Sequence, residues 1–477
     1  MAAAKVEQWD IFELEMQAEA TPNPYVDVTL SAEFKLGNRT VQVDGFYDGK
    51  GIYRVRYMPD RTGQWQYETS SNLDALNGQF GEFECTSPTE PNHGPVGVYR
   101  TRHFAYADGR VYYPVGTTCY AWNHQGDEQE LQTLETLRNG PFNKIRMCVF
   151  PKHYSYSKNE PDFHPFHGSI DDGWDFSRFN PAFWHHLEKR IGNLRDLGIE
   201  ADLILFHPYD RWGYAKMDSV SDDRYLKYAV ARLSAYRNVW WSLANEWDLM
   251  RSKSEQDWDR FFKIIQEHDP SQHLRSIHNC VRFYDHALPW VTHSSIQSSN
   301  TSDMTKWLKQ YRKPAIDDEC CYEGNVPQGW GNITGQELVR RFWDGFIRGG
   351  YVGHGETYLH PEDILWWSKG GVLHGTSPAR IAFLREILES GPGPLEPQDI
   401  GVPAAGKSGA YYLAYLGPNQ SARKRLTLPD GASYRIEIID TWEMEVRAVE
   451  GSFEGKCDLE LPGKPYTALR ITKQDDR

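Results

Sequence analysis

Positive charge is scarce in this chain, and so are long apolar runs. Among 477 residues, 52 Lys and Arg face 66 Asp and Glu, giving a formal net charge of -14. No basic run stands out, which argues against a nucleic-acid partner, whose phosphates need clustered Lys and Arg. No stretch of 18 apolar residues occurs, so no membrane-spanning helix and no membrane partner are expected. The opening residues, MAAAKVEQWDIFELE, lack the basic segment and apolar core of a secretory leader, and a cytoplasmic protein is expected. The cysteines, Cys85, Cys119, Cys148, Cys280, Cys320, Cys321 and Cys457, number 7, with no CxxC spacing. An odd count placed mostly in apolar stretches predicts reduced thiols rather than a disulfide framework. No internal repeat or low-complexity tract is present.

Aromatic residues are abundant, at 14% with 17 Trp and 27 Tyr. Flat aromatic faces suit stacking on the C–H faces of sugars, although they also serve as ordinary core. The length predicts two or three domains. Residues 1–95 alternate apolar and polar positions, as in 25–30 and 53–58, between Gly-, Asp- and Asn-rich turns, and predict an Ig-like β-sandwich. The Pro-rich segment 87–95 ends it. From 395 to 477 β-pattern returns, and a second, small β-sandwich is expected.

Between them, over 100–392, strand and helix patterns alternate. Strands are predicted at 111–121, 144–150, 201–206, 239–244, 274–279, 290–297, 314–319 and 351–357. Asn180-Pro181 starts a helix ended by Gly198, Thr334 to Glu337 forms a capping box, and Ser377-Pro378 opens a last helix. A further helix is predicted at 301–312. Eight strands alternating with helices over about 290 residues is the size of a (β/α)8 TIM barrel. The fold class is therefore α/β, a barrel flanked by two β-sandwiches. The link between strands five and six is too short for a covering helix, and 151–179 is an oversized loop.

The stretch that organises this region is 236–248, YRNVWWSLANEWD. An apolar strand, short enough to be buried on both faces, runs to Asn245 and Glu246. In α/β folds the carboxyl ends of strands face the ligand crevice, so Glu246 is a candidate for chemistry. A second strand, led by Pro314, ends in Glu319. Two strand-end glutamates converging on one site would meet the need of glycoside hydrolysis for one proton-donating acid and one ionised carboxylate. Glu323 stands near enough in sequence to be an alternative to Glu319. At the other predicted strand ends stand Tyr120, Trp122, Arg146, His207, Trp212, His278, His293, Gln297 and Glu356.

The Asn-Glu pair closing strand four, the Pro-led strand seven ending in Glu, and the Arg on strand two resemble the retaining glycoside hydrolases of clan A. The stretches Cys119-Tyr120-Ala121-Trp122, His207 to Trp212 and Asp318 to Gly324 resemble the bacterial apiosidase-like barrels, with a small N-terminal Ig-like domain and a C-terminal β-domain. The resemblance implies that Glu246 is the general acid/base, Asn245 holds the sugar 2-hydroxyl, and Glu319 is the nucleophile kept ionised by Arg146. From their places at the predicted rim, His207, Trp122, Trp212, His278, His293, Gln297, Tyr322 and Glu356 are expected to contact substrate, with hydrogen-bonded rim or core packing as the alternative for the histidines and loop packing for the two Trp. His293 or Gln297 stands in for the usual aromatic on strand six, and Trp366, Trp367 or Tyr358 for the usual Trp after strand eight. An oligosaccharide or glycoside is the expected substrate, with exo action and no cofactor or metal; a homo-oligomer is left open.

Two rivals follow from the same residues. A metal-dependent barrel hydrolase would need HxH or HExxH spacing, and neither occurs. A non-catalytic carbohydrate-binding protein would need no paired glutamates, and both are present.

Overall fold

The computed structural model describes residues 4–19, 21–361 and 365–474. At its centre eight parallel strands form a barrel: Gly116–Thr118, Lys144–Cys148, Glu200–Phe206, Val239–Ala244, Arg275–Ser276, Ser294–Gln297, Ala315–Glu319 and Tyr351–His354. Hydrogen bonding runs in the order five, four, three, two, one, eight, seven, six. A single parallel bridge between His278 and Ser295 joins the two ends and closes the ring. The strands read as apolar runs because they are buried inside and outside; all six residues of Val239–Ala244 are buried.

Several elements differ from the expectation. The predicted first strand, 111–121, is divided at Pro114, which has no N–H to donate to a ladder. Val111–Tyr112 folds back on His103–Tyr106, and only Gly116–Thr118 enters the barrel. Strands five and six shrink to Arg275–Ser276 and Ser294–Gln297, with no helix between them. The eighth strand stops at His354, and Glu356–Thr357 pairs instead with Glu323–Gly324. Residues 25–30 were expected as strand; Pro24 starts a helical turn, Pro24–Asp27, and extended structure begins at Leu30. The capping box at Thr334 is half formed. Thr334 accepts from the Glu337 amide, but the Glu337 carboxylate is held by Arg340 and Arg341.

The helix predicted from Asn180-Pro181 is Pro181–Asp196, capped by the Asn180 side chain, with Gly198 in the left-handed region at φ 70°. Part of the long loop after strand two is an antiparallel pair, Phe166–Ser169 with Gly173–Phe179.

The N-terminal region is a seven-stranded arrangement. Its long strand Arg39–Tyr47 pairs first with Leu30–Leu36 and then with Ile52–Tyr57, so the sheet turns back over a core of Phe12, Phe34, Trp65 and Phe83. A small sheet, Val96–Tyr99, His103–Tyr106 and Val111–Tyr112, then plugs the barrel floor: Phe104 packs on Trp240, His293 and Tyr351. The C-terminal region has a six-stranded sheet and a two-stranded ribbon around Tyr412, Leu426, Ile436, Leu459 and Ile471. Tyr415 stacks on Trp343 of the helix Gly335–Ile347, tying this region to the barrel. Among the described residues no helix is long and apolar enough to cross a membrane.

Candidate active site

Strand four ends abruptly at Glu246, whose backbone adopts φ 53° and ψ 53°. A left-handed conformation costs a non-glycine residue about 1–3 kcal/mol, and it persists where surroundings over-determine it. Those surroundings are visible: the Asn245 amide donates to the Phe206 carbonyl at 3.0 Å and the Trp247 amide to the His278 carbonyl at 3.0 Å. The kink turns the Glu246 side chain into a cavity of about 470 Å³ at the carboxyl end of the barrel, which Glu319 also lines.

A hydrogen-bonded path joins the two acids. Arg146 donates through Nη1 to Glu319 Oε1 and through Nη2 to Asn245 Oδ1, each at 3.2 Å. Asn245 Nδ2 in turn donates to Glu246 Oε2 at 3.3 Å. Tyr120 donates to Asn245 Oδ1 at 2.9 Å, and the Tyr209 hydroxyl donates to Glu246 Oε2. Gln297, with its amide nitrogen turned to Glu319, donates to Oε2 at 3.2 Å and to the Asn279 carbonyl at 3.3 Å.

The floor below is ionic. Lys144, fully buried, bonds Asp202 Oδ2 at 2.7 Å and Asp318 Oδ1 at 2.9 Å, and Ser295 donates to Asp318 at 2.6 Å. Such a network is satisfied only as a unit, which fixes the strands that carry Arg146 and Glu319. Opposing influences act on Glu319. Burial pushes its carboxyl up to about 8, and the Tyr322 hydroxyl lowers it. The Arg146 guanidinium in direct contact favours the charged form.

The expected site residues divide into two groups. Glu246, Glu319, Asn245, Gln297 and Tyr322 line the cavity, and Arg146 supports it from below. His278 lies under Glu319, its Nε2 4.0 Å from Oε1, and burial holds its imidazole neutral, well below its ordinary value.

The others turn away from the cavity, and each has a structural partner. Trp122 is enclosed in the barrel core. Trp212 donates to Glu160 Oε1 at 2.8 Å and stacks on Tyr214. A His207 ring nitrogen faces the Phe150 carbonyl at 3.1 Å. His293 points to the barrel floor, against Phe104 and Trp240, so Gln297 alone of the two reaches Glu319. Glu356 accepts from the His374 and Gly375 amides at 2.5 and 2.7 Å. Glu323, the alternative acid, accepts from the Thr376 and Ser377 amides at 2.8 and 3.0 Å, capping the last helix.

After strand eight it is Trp367 that lines the cavity, while Trp366 donates to Thr117 and Tyr358 to Glu323. Lys152, Tyr154, Tyr156, Cys280, Gln328 and Trp330 also line it and were not anticipated. The run Lys152-His153-Tyr154-Ser155-Tyr156 just past strand two was the available signal: a cation among alternating aromatics in an oversized loop. The Cys280 thiol is pushed up to about 12 by burial and the Glu246 charge.

Among the described residues, one His and carboxylate group has the proximity of metal ligands: Asp127, Glu130 and His186. It lies on the outer helices Asp127–Asn139 and Pro181–Asp196, where Arg190 already pairs with both carboxylates.

An eight-stranded parallel barrel with two strand-end carboxylates facing one cavity is an architecture of glycoside hydrolases. The chain belongs to the apiosidase-like family: the profile of the apiosidase-like catalytic domain matches residues 99–372. Residues 5–72 match a domain of unknown function, DUF5060, and 401–472 another, DUF5605. A Bacteroides vulgatus crystal structure assigned to the glycoside hydrolases is similar over 99% of this chain and 100% of that one, at 42% identity and a TM-score of 0.94. A family 5 glycoside hydrolase from the same organism is similar in fold over 80% of this chain and 93% of that one, at 16% identity and a TM-score of 0.65. A comparison with curated protein sequences finds no match. The protein is thus a glycoside hydrolase with a carbohydrate substrate.

Proposed function

We propose that the protein is a retaining, exo-acting β-glycosidase in which Glu246 is the general acid/base and Glu319 the nucleophile. The observation that carries the reading is the path Glu319, Arg146, Asn245, Glu246 around one cavity. In the first step a Glu319 oxygen attacks the anomeric carbon while Glu246 gives its proton to the departing glycosidic oxygen. In the second, Glu246 takes a proton from water, which attacks the glycosyl-enzyme and frees Glu319. Asn245, oriented by Tyr120 and Arg146, presents its amide beside Glu246, where it can hold the sugar 2-hydroxyl.

Exo action is supported by closure of one side of the cavity. Tyr156, from the loop after strand two, donates to Gln328 Oε1 at 2.6 Å, and Trp330 packs on Trp367. Seven free thiols support the cytoplasm as its compartment. The proposed units are 1–95, 100–392 and 395–477.

Aryl β-glycosides, furanosides included, test the activity. Glu246→Gln and Glu319→Gln should each lower turnover by several orders of magnitude with folding intact; wild-type rates in either would contradict the assignment. Azide should rescue Glu319→Gly and give a glycosyl azide of inverted anomeric configuration. A retained product would exchange the two roles.

A further inference from the structure

Besides the two acids, the cavity contains a cation with unusual surroundings. Lys152 lies shortly after the second barrel strand; it is 3% exposed and lines the cavity. Its Nζ sits 3.4 Å from the ring centroid of Tyr120, 4.3 Å from Tyr209, 4.7 Å from Tyr154 and 5.7 Å from Trp367. Among the described residues no carboxylate pairs with it and no oxygen accepts from it. Other buried lysines of the barrel are satisfied: Lys144 by Asp202 and Asp318, Lys253 by Asp222 and the Met217 carbonyl.

Ring faces attract an ammonium, but three N–H donors also need lone pairs, and a buried cation without them is costly. Four rings stand around this ammonium, and the cavity is the side on which a ligand can reach it. Its charge matters less than its donors, since burial pushes the Lys152 ammonium down to about 8 and both protonation forms carry N–H.

Resting on the glycosidase reading, we infer that Lys152 is a substrate-binding residue that selects the sugar, donating hydrogen bonds to hydroxyl oxygens of a neutral glycone seated between Glu246 and Glu319. A neutral sugar suffices, because ring hydroxyl oxygens supply the lone pairs that the Lys152 N–H donors lack. The aromatic faces of Tyr154 and Trp367 suit the C–H faces of such a ring.

The test is binding of methyl 1-thio-β-glycosides, which resist hydrolysis, followed by the fluorescence of Trp367 and Trp330. The panel spans neutral pentoses and hexoses and one thioglucuronide. Lys152→Met should weaken neutral ligands about ten- to a hundredfold, the range for a hydrogen bond to a charged group, and Lys152→Gln, which keeps N–H donors, should weaken them less. Lys152→Met should also raise Tm, because it removes an unpaired buried ammonium from an aromatic box. Unchanged neutral affinity, loss confined to the thioglucuronide, lowered Tm with affinity intact, or a wild type that binds no member would each overturn the inference. A wild type that binds thioglycosides yet cleaves no O-glycoside would overturn the glycosidase reading and leave this one standing.

Discussion

Arg146 carries two duties in one side chain, since its fork contacts both Glu319 and Asn245. The first duty has a measurable sign. Glu319 must be ionised to attack, and burial pushes its carboxyl up to about 8. Removing the adjacent positive charge in Arg146→Met therefore raises that pKa further. The acidic limb of kcat/KM should move to higher pH by about one unit or more. An unmoved limb would mean that Arg146 serves only to orient Asn245. Tyr209 acts on the other acid: Tyr209→Phe deletes the donor on Glu246 Oε2 and should lower turnover by about tenfold while leaving the acidic limb in place.

Elements hold these side chains through their ends. The segment after strand seven is tied to the last helix, Ser377–Glu389, by Glu323, which accepts from two amides at the helix start and from the Tyr358 hydroxyl at 3.1 Å. Those bonds and the nearby helix terminus hold the Glu323 carboxyl below its ordinary value although burial works the other way. Glu323→Ala should cost about 1–3 kcal/mol by orphaning those donors. It should lower Tm, and azide should rescue nothing in it, in contrast to Glu319→Gly. Azide rescue of the Glu323 variant would transfer the nucleophile role to it.

Across the whole molecule, the N-terminal sheet is joined to the barrel by a buried ionic network. Arg56 meets Glu188 at 2.7 Å, and Arg232 meets Glu188 at 2.6 Å and Asp48 at 2.7 Å. Burial opposes ionisation of both acids, yet His185 and Arg232 at Asp48, and Arg232 and Arg56 at Glu188, hold the carboxyls below their ordinary values. Folded carboxyls with depressed pKa bind fewer protons than unfolded ones. Their stabilisation is present above the ordinary carboxylate range and is lost as pH falls below it. Glu188→Gln leaves two buried guanidiniums short of charge, and about 3–5 kcal/mol of stability should disappear in denaturant unfolding at neutral pH. The difference from wild type should narrow as the pH is lowered toward 3; a constant difference would assign the contact to packing alone.

What could be read along the chain was whatever repeats or terminates locally. Apolar strands of six residues or so, helix caps such as Asn180 with Pro181, and acids at strand ends depend on near neighbours, so the barrel, its flanking β-regions and Glu246 with Glu319 were legible in order of sequence. Side-chain direction at the rim was not. Trp122, Trp212, His207, His293 and Glu356 stand in the right stretches and turn to other partners, because which face of a short strand or loop meets the cavity depends on register and on what fills the opposite side. Phe104, far away in the chain, claims His293; Asp202 and Asp318, from two different strands, claim Lys144 and leave Arg146 for the acids. The cage around Lys152 draws its rings from four separate segments that follow barrel strands one, two, three and eight. Periodicity is set by each residue's nearest companions, whereas a cavity is set by strangers brought together, and only the closed barrel makes that introduction.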